Sequence, residues 1–209
     1  MKLVVGTEST WSLRVWICLQ LANIKVTEEV IDLSSVDYKA KILAHSPTGL
    51  VPAFIDGNIE IYDSLAITEY INESSHGCLY PVNVKQRAIA RSLCAEMHSG
   101  FMNLRQQFPF TLQGVTQNKQ AQNPAAKNPL LNDDIKKELS RIEAIFESAT
   151  LPFMFELAGA VDAFYAILAF RLKSYGIIFE GKAGEYQHSL LDWPLLNKAI
   201  AQAQRWENK

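Results

Sequence analysis

Cysteine is scarce in this sequence, which has three among 209 residues: Cys18, Cys78 and Cys94. Because they form no CxxC, CxH or paired spacing, we expect neither a zinc site nor a disulfide framework, and we predict no metal. An odd, sparse count is typical of a reducing cytosol, so we expect a cytoplasmic protein. Cys18 stands within an apolar helical pattern, which favours buried packing over reactivity.

Long apolar runs and an excess of one charge are also missing. No stretch approaches the roughly 20 apolar residues that cross a bilayer, and the apolar run at residues 3–5 is too short for a secretory signal. The net charge is -2, from 20 basic and 22 acidic residues. Because the basic residues are scattered, we expect neither nucleic acid nor a membrane as a partner. The sequence contains no GxGxxG or P-loop pattern, so it does not predict a nucleotide-binding site.

The composition that remains is that of a globular protein, with 48% hydrophobic residues. Strand and helix patterns alternate at the start: a strand at 2–5, a helix at 12–22, a strand at 26–33 and a short helix from Asp37 to about residue 45. A turn-rich segment follows at residues 46–52. This alternation indicates a βαβ unit with a parallel pair of strands.

A hairpin and a third helix complete the first half. The turn residues Asp56-Gly57-Asn58 separate apolar residues 53–55 from 60–62, which is a strong hairpin signal. Asp63-Ser64 then provides a cap for a helix. The order strand, helix, strand, helix, strand, strand, helix is that of thioredoxin, so we predict a thioredoxin-like βαβαββα domain at residues 1–75.

Beyond a linker at about residues 72–83, no strand pattern recurs. Helical spacing predicts four helices, at residues 85–112, 133–148, 160–175 and 194–206. A polar stretch at 118–129, rich in Gln, Asn and Pro, predicts a loop. The predicted fold class is therefore α/β plus all-α, with an all-helical second domain at residues 84–209.

Five fragments of the chain are similar to segments of one known family. They are STWSLR at 9–14, TGLVP at 48–52, DSLAI at 63–67, EMHSGF at 96–101 followed by LR at 104–105, and AVDAFY at 160–165. Each fragment alone is weak, but five in the right order and at about the right spacing are strong together. The chain thus resembles the glutathione transferase superfamily, and within it the zeta class and its bacterial serine-type relatives.

The resemblance implies a glutathione-binding site in the N-terminal half. Pro52 would follow a cis peptide bond, and Val51 would pair its backbone with the cysteinyl part of glutathione. Ser64 and Asp63 would bind the γ-glutamyl carboxylate and ammonium at a helix N-terminus. Leu50 stands where the family often has a polar contact to the glycyl carboxylate. The plainer alternatives are a loop proline at Pro52 and an N-cap at Ser64.

Ser9, with Thr10 as a neighbouring backup, matches the family serine that donates to the glutathione thiolate. A free thiol has a pKa of about 8.5, so activation needs donors and positive potential at the sulfur. The alternative for Ser9 is an N-cap without chemistry. Arg14 would add positive potential or form an ordinary salt bridge. Glu8 is unusual here, because a carboxylate near the thiol would raise the pKa of the thiol.

By the same resemblance, the helical half would line a pocket for a small hydrophobic electrophile. The candidate residues are Trp11, His98, Phe101, Met102, Arg105 and Tyr165. The helical spacing of Phe101, Leu104 and Phe108 equally favours a core face. Asp162 would cap the helix that follows Gly159, a position where the family usually has Ser or Thr.

Three functions follow as hypotheses. The first is a glutathione transferase-like enzyme that conjugates glutathione to a small electrophile or isomerises that electrophile. Such an enzyme would be a homodimer and would use glutathione as co-substrate. The second is a catalytically weak ligand-binding or regulatory protein of the same fold, motivated by Glu8, Leu50 and Gly159. The third is a thiol reductase, which would use a cysteine at the helix start, where this chain has Ser9 and Thr10.

Overall fold

The computed structural model describes residues 1–112 and 132–208. The described part of the first half contains β1 (Lys2–Gly6), α1 (Thr10–Leu21), β2 (Thr27–Ile31), α2 (Tyr38–Leu43), β3 (Ala53–Asp56), β4 (Ile59–Tyr62) and α3 (Ser64–Ser74). The second half contains α4 (Val84–Ser99), α5 (Met102–Gln107), α6 (Asp133–Glu147), α7 (Ala160–Ser174), α8 (Gly181–Asp192) and α9 (Pro194–Glu207). None of these helices is long and apolar enough to span a bilayer.

The four strands form one mixed sheet in the order β2-β1-β3-β4. β1 and β2 are parallel, with Lys2 opposite Thr27, whereas β3 is antiparallel to both β1 and β4. The hairpin between β3 and β4 turns at Gly57, whose φ of 61° lies in the left-handed region that glycine adopts without a Cβ clash. The thioredoxin-like prediction for the first half is confirmed.

One continuous hydrophobic core connects the two halves. α1 packs against α3 of the first half and against α7 and α9 of the second. Its apolar side chains from Leu13 to Leu19 are buried because these elements cover them. Glu28 on β2 adds a polar connection, since its carboxylate accepts from the indole N–H of Trp16 at 2.9 Å and of Trp206 at 2.7 Å. The last helix is therefore fastened to the sheet.

The predicted helix at residues 85–112 is wrong as one element. α4 ends at Ser99, Gly100 is extended, and Phe101 has a φ of 57°, which ends the helical path before α5 begins. A Cβ on Gly100 would lie 2.7 Å from the carbonyl oxygen of Glu96. Glycine, which has no Cβ, therefore fits at this break between the helices. The sequence reading also missed α8, and the loop predicted at 118–129 lies outside the described residues.

Asp162 fixes the start of α7 from inside the protein. Its carboxylate accepts from the N–H of Gly159 at 2.9 Å and of Met154 at 2.8 Å, and from the hydroxyl of Tyr186 at 2.7 Å. Burial raises the pKa of Asp162, and these hydrogen bonds act against that rise. A Cβ on Gly159 would lie 2.6 Å from the carbonyl oxygen of Leu79, which explains glycine at this position.

The cysteines agree with the packing interpretation. Cys18 and Cys94 are buried and Cys78 is exposed. Burial raises the pKa of Cys18 to about 12, so its thiol stays protonated at neutral pH. A buried neutral thiol behaves as a small apolar side chain.

Candidate functional site

A cleft of about 240 Å³ lies where the loop before β3 meets the start of α3 and the end of α4. It is lined by Trp11, Thr48, Leu50, Val51, Pro52, Asp63, Ser64 and His98. The fold therefore brings the predicted glutathione-binding residues together, except Ser9. Thr48 was not among the predicted site residues, although it belongs to the segment that the resemblance marked.

The peptide bond between Val51 and Pro52 is cis, as predicted. The backbone N–H and C=O of Val51 have no hydrogen-bond partner within residues 1–112 and 132–208. Leu50 is 68% exposed at the rim, and its N–H donates to the hydroxyl of Thr48 at 3.3 Å. Val51 thus offers one free donor and one free acceptor to an extended ligand in the cleft.

Asp63 and Ser64 form the N-terminus of α3. Oδ1 of Asp63 accepts from the N–H groups of Leu65 and Ala66 at 2.8 and 3.2 Å, which caps the helix. Asp63 itself has a φ of 84°, an uncommon value for a residue with a side chain. Ser64 is buried, and its Oγ has no partner in the described part of the chain. This free hydroxyl at a helix N-terminus suits a carboxylate ligand.

His98 reaches this cleft from the end of α4. Its Nε2 lies 3.0 Å from Oδ2 of Asp63, and its ring meets the ring of Trp11 edge-on at 5.1 Å. Its Nδ1 is buried without a partner among the described residues. The sequence indicated His98 as a residue of the electrophile pocket but gave no sign of its contact with Asp63, because the two lie in different halves.

Ser9 is the N-cap of α1. Its Oγ accepts from the backbone N–H of Ser12 at 3.2 Å and from the hydroxyl of Ser12 at 3.0 Å. Because the oxygen accepts both bonds, the hydroxyl proton of Ser9 remains for another acceptor. Ser9 and Thr10 are both buried, at 8% and 6% exposure. The N-cap role is observed, and a role toward a thiol stays a prediction.

Glu8 faces a different cleft. It lines a cavity between β2 and α9 that also contains Glu29, Asp32 and Glu207. Burial raises the pKa of Glu207, and the negative charge of Glu8 raises it further. The feature that made thiol activation doubtful from the sequence, a carboxylate beside Ser9, is thus directed toward α9.

The residues expected around the electrophile divide into three groups. Phe101 belongs to the core, and Tyr165 is fully buried with its hydroxyl donating to the carbonyl of Leu93 at 3.1 Å. Met102 is exposed, and Nη1 of Arg105 lies 3.7 Å from its sulfur. Trp11 and His98 line the cleft, so the structure does not bring all six candidates to one place.

Arg14 stands behind Trp11. It is 1% exposed, and its guanidinium carbon lies 4.2 Å from the centre of the Trp11 ring and 5.5 Å from that of Phe164. Its Nε and Nη1 are buried without hydrogen-bond partners in the described ranges. Burial lowers the pKa of Arg14, and the charges of Arg105 and Arg171 lower it further. The salt bridge considered from the sequence is absent from these ranges.

Comparison with known proteins gives this cleft a family context. Residues 8–74 match the family model described as glutathione S-transferase, N-terminal domain. The whole fold is similar to a glutathione transferase homolog from Burkholderia solved with bound glutathione, with a TM-score of 0.67 and 19% identity, covering 98% of this chain and 97% of that one. The N-terminal part of the chain therefore matches the glutathione S-transferase N-terminal domain, and the chain as a whole has the fold of the glutathione transferases.

Two curated relatives differ in their descriptions. A stringent starvation protein A homolog from Histophilus somni is 24% identical over 180 residues, which cover 86% of this chain and 78% of the relative. A probable maleylacetoacetate isomerase from Caenorhabditis elegans is 37% identical over 98 residues, which cover 46% of this chain and 45% of the relative. The latter alignment spans under half of either protein, so its activity does not carry over directly.

Proposed function

We propose that this protein is an enzyme that binds glutathione in the cleft and activates its thiol toward a small electrophile, by conjugation or by isomerisation. The observation that supports this most is the pairing of two unused groups in one cleft. Among the residues that the structure describes, the backbone of Val51 has a free donor and acceptor, and the buried Oγ of Ser64 has no partner. Buried polar groups are normally satisfied, so the Ser64 hydroxyl awaits a ligand, and the partly exposed backbone of Val51 is open to the same ligand.

Each group has a distinct role in this proposal. Val51 holds the cysteinyl backbone of glutathione by one short strand-like pairing. Ser64 and the N-terminus of α3 hold the γ-glutamyl carboxylate, and Asp63 faces the γ-glutamyl ammonium. The hydroxyl of Ser9 donates a hydrogen bond to the sulfur. This bond favours the thiolate and lowers the pKa of the thiol.

The chemical step then needs no redox partner. The thiol proton leaves to water, and the thiolate uses a lone pair to form a carbon–sulfur bond with the electrophile. In a substitution the leaving group departs with its bonding pair, and in an addition the neighbouring carbon takes a proton from water. An isomerisation reverses the addition after rotation about the single bond formed, which returns the thiolate.

The relatives support parts of this proposal. The Burkholderia homolog contains glutathione, and the relative from C. elegans is described as a probable isomerase. We propose the zeta-like subgroup and the homodimer from the resemblance of the sequence fragments to the family, since these two descriptions state neither a subgroup nor an oligomeric state.

Calorimetry with glutathione tests the binding step. We expect saturable binding at millimolar glutathione or below, together with an increase in ultraviolet thiolate absorbance at neutral pH when protein is added. An absence of binding at millimolar glutathione would disprove the proposal. Light scattering at micromolar protein checks the dimer, which a monomeric mass would contradict.

A ligand-binding or regulatory protein without efficient catalysis is the second candidate. One observation favours it: Ser9 is buried as an N-cap and does not line the cleft. The relative from Histophilus somni, which aligns over 86% of the chain, is named a stringent starvation protein A homolog and not a transferase. Under this alternative glutathione binds, but the pKa of its bound thiol stays near the free value.

A further inference from the structure

The strand β2 forms one edge of the sheet and has only β1 beside it. The N–H of Thr27 and the carbonyl of Ile31 form hydrogen bonds to the residues that flank β1. Because the backbone groups of successive residues in a strand point to opposite sides, those of Glu28 and Val30 face away from the sheet. These N–H and C=O groups have no hydrogen-bond partner in the part of the chain that the structure describes.

The edge of β2 lacks the usual protection of an open strand. Native proteins protect such edges with a proline, with charged side chains at the edge or with a covering element. β2 contains no proline. The carboxylate of Glu28 accepts from Trp16 and Trp206, and that of Glu29 lies 2.8 Å from Nε2 of His45. Both carboxylates thus contact elements on the faces of the sheet and leave its edge uncovered.

The cavity that contains Glu8 runs along this edge and has a volume of about 950 Å³. It touches every residue from 29 to 34, including Val30. Because successive side chains of a strand point to opposite faces, a cavity that touches consecutive residues follows the edge and not one face. Its walls come from α9, at Trp206 and Glu207, and from α2, at Lys41. We call this cavity the β2 groove.

The β2 groove is negatively charged. Its lining includes four carboxylates and one ammonium group: Glu8, Glu29, Asp32, Glu207 and Lys41. The ammonium of Lys41 is already paired with Asp37 at 3.0 Å. Among the described residues, only Glu29 of the four acids has an ion pair. The negative charge of Glu8 adds to burial in raising the pKa of Glu207, so these two carboxylates repel each other. A cationic occupant would relieve that repulsion.

We propose that the open edge of β2 binds an extended segment of another protein that is rich in lysine or arginine. The segment adds to the sheet as a strand, and its backbone pairs with the free N–H and C=O groups of Val30 and Glu28. Its cationic side chains lie against Glu8, Asp32 and Glu207, which selects a basic partner. The groove shares no lining residue with the glutathione cleft, so this inference is independent of the proposed function.

Two other occupants fit the groove less well. A polyamine would neutralise the carboxylates but would leave the backbone of Val30 without a partner. A second copy of this chain would pair two β2 edges and bring two sets of carboxylates together. Like charges across an interface oppose association. A basic extended segment satisfies the backbone and the charge at once.

Fluorescence anisotropy with three labelled hexapeptides tests the proposal on the full-length protein. The first peptide has three Lys-Val repeats with both ends blocked, and the second has Glu-Val repeats instead. The third is the Lys-Val peptide with a methyl group on every amide nitrogen, which keeps the charge and removes the backbone donors. We expect the first peptide to bind about 10-fold more tightly than either of the others, because a lost backbone pairing or a reversed charge costs one or two hydrogen bonds.

Substitutions in the groove complete the test. Glu8→Gln combined with Glu207→Gln should weaken the Lys-Val peptide by about 5-fold, since each exposed ion pair contributes modestly. Glu185→Gln, which removes an exposed carboxylate of α8, is the matched control and should leave its affinity unchanged. Val30→Pro removes the outward N–H at a position where an edge strand tolerates proline, and should also weaken the peptide. If that variant does not fold, the methylated peptide tests the same pairing from the side of the partner.

Several outcomes would overturn the proposal. Equal binding of the Lys-Val and Glu-Val peptides would remove the charge argument, as would an affinity that survives loss of both Glu8 and Glu207. Equal binding of the methylated peptide would leave a surface for cations and no strand addition. If no peptide binds and Val30→Pro lowers the mass of the protein in light scattering, the edge joins two copies of this chain.

Discussion

Nε2 of His98 lies 3.0 Å from Oδ2 of Asp63, so the helical half contacts the acid-serine motif directly. Oδ1 of the same carboxylate caps α3 through Leu65 and Ala66. One carboxylate thus serves the helix, the histidine and, by our proposal, the ammonium of glutathione. Both oxygens of Asp63 already have partners before a ligand binds. We therefore expect the ammonium of glutathione to interact mainly with the negative charge of this carboxylate.

Asp63→Asn should isolate that charge. Asparagine keeps an Oδ1 that caps α3 and tolerates a positive φ, so the fold should not change. We expect glutathione to bind about 10-fold more weakly, because the ammonium loses a charged partner. Calorimetry measures this against cysteinylglycine, a peptide without the γ-glutamyl group.

Two control measurements accompany that prediction. Cysteinylglycine should bind the protein and the variant equally, and a loss of both ligands would place the effect in the fold of the cleft. His98→Gln keeps a neutral donor near Asp63 and should change glutathione affinity by less than about 2-fold, since the carboxylate charge remains.

Much of the fold could be predicted from the sequence, and the reason is local. Residues 53–62 contain the turn residues of their own hairpin. The strands and helices of the first half are indicated by the spacing of apolar residues, which is a property of neighbouring positions in the sequence. The break at Gly100 and Phe101 could not be predicted, because the apolar spacing continues across it and the αL backbone of Phe101 depends on tertiary packing. α8 was missed because its two glycines, Gly181 and Gly184, weaken the helix signal.

The candidate site was predictable in its parts and not in its contacts. Val51, Asp63 and Ser64 stand in short motifs with a backbone role, and the structure puts them in one cleft. The His98 contact with Asp63 joins residues 35 positions apart, and Arg14 on α1 lies close enough to Arg105 on α5 and Arg171 on α7 for their charges to affect it. Such pairings depend on the fold as a whole, so sequence spacing gave them no signal.

Ser9→Ala should separate capping from catalysis. We expect kcat/KM to fall by about 100-fold if Ser9 donates to the thiolate, and stability to fall by about 1 kcal/mol because α1 loses its N-cap. The pKa of the bound thiol, followed by ultraviolet absorbance against pH, should rise toward its free value. Thr10→Val, which removes the neighbouring hydroxyl, is the matched control and should leave that pKa unchanged. The reverse result would transfer the role to Thr10.

Gly159→Ala should destabilise the protein by about 1–3 kcal/mol, in the range of overpacked sites. The added Cβ would lie 2.6 Å from the carbonyl oxygen of Leu79, which also accepts from the N–H of Ala160. Urea denaturation measures the change, with the neighbouring substitution Ala158→Ser as a control near zero. A stabilising result, expected if the glycine were merely a weak helix cap, would contradict the packing explanation.

Glu29 should make part of the free energy of unfolding depend on pH in the acidic range. A hydrogen bond from Lys2, assisted by His45, holds the pKa of Glu29 below its usual value. Its contribution is therefore complete above the unfolded pKa of about 4.3 and is lost as pH falls through the lower folded pKa. Glu29→Gln should cost a few tenths to about 1 kcal/mol at neutral pH, since the pair is partly exposed. That difference should shrink in acid, and a difference constant with pH would count against the charge.

Arg14→Met and Arg171→Met should shift stability in opposite directions, although both remove a buried arginine of one cluster. Arg14 has no hydrogen-bond partner for Nε or Nη1 in the described part of the chain, so an apolar side chain of similar length should raise the free energy of unfolding by about 1 kcal/mol or more. Arg171 satisfies the carbonyls of Arg105 and Phe108, so its loss leaves buried acceptors unpaired and should cost about 1–3 kcal/mol. Urea denaturation of the two variants side by side decides the matter. Equal destabilisation by both would make Arg14 a structural residue and contradict the gain expected from removing its unpaired buried charge.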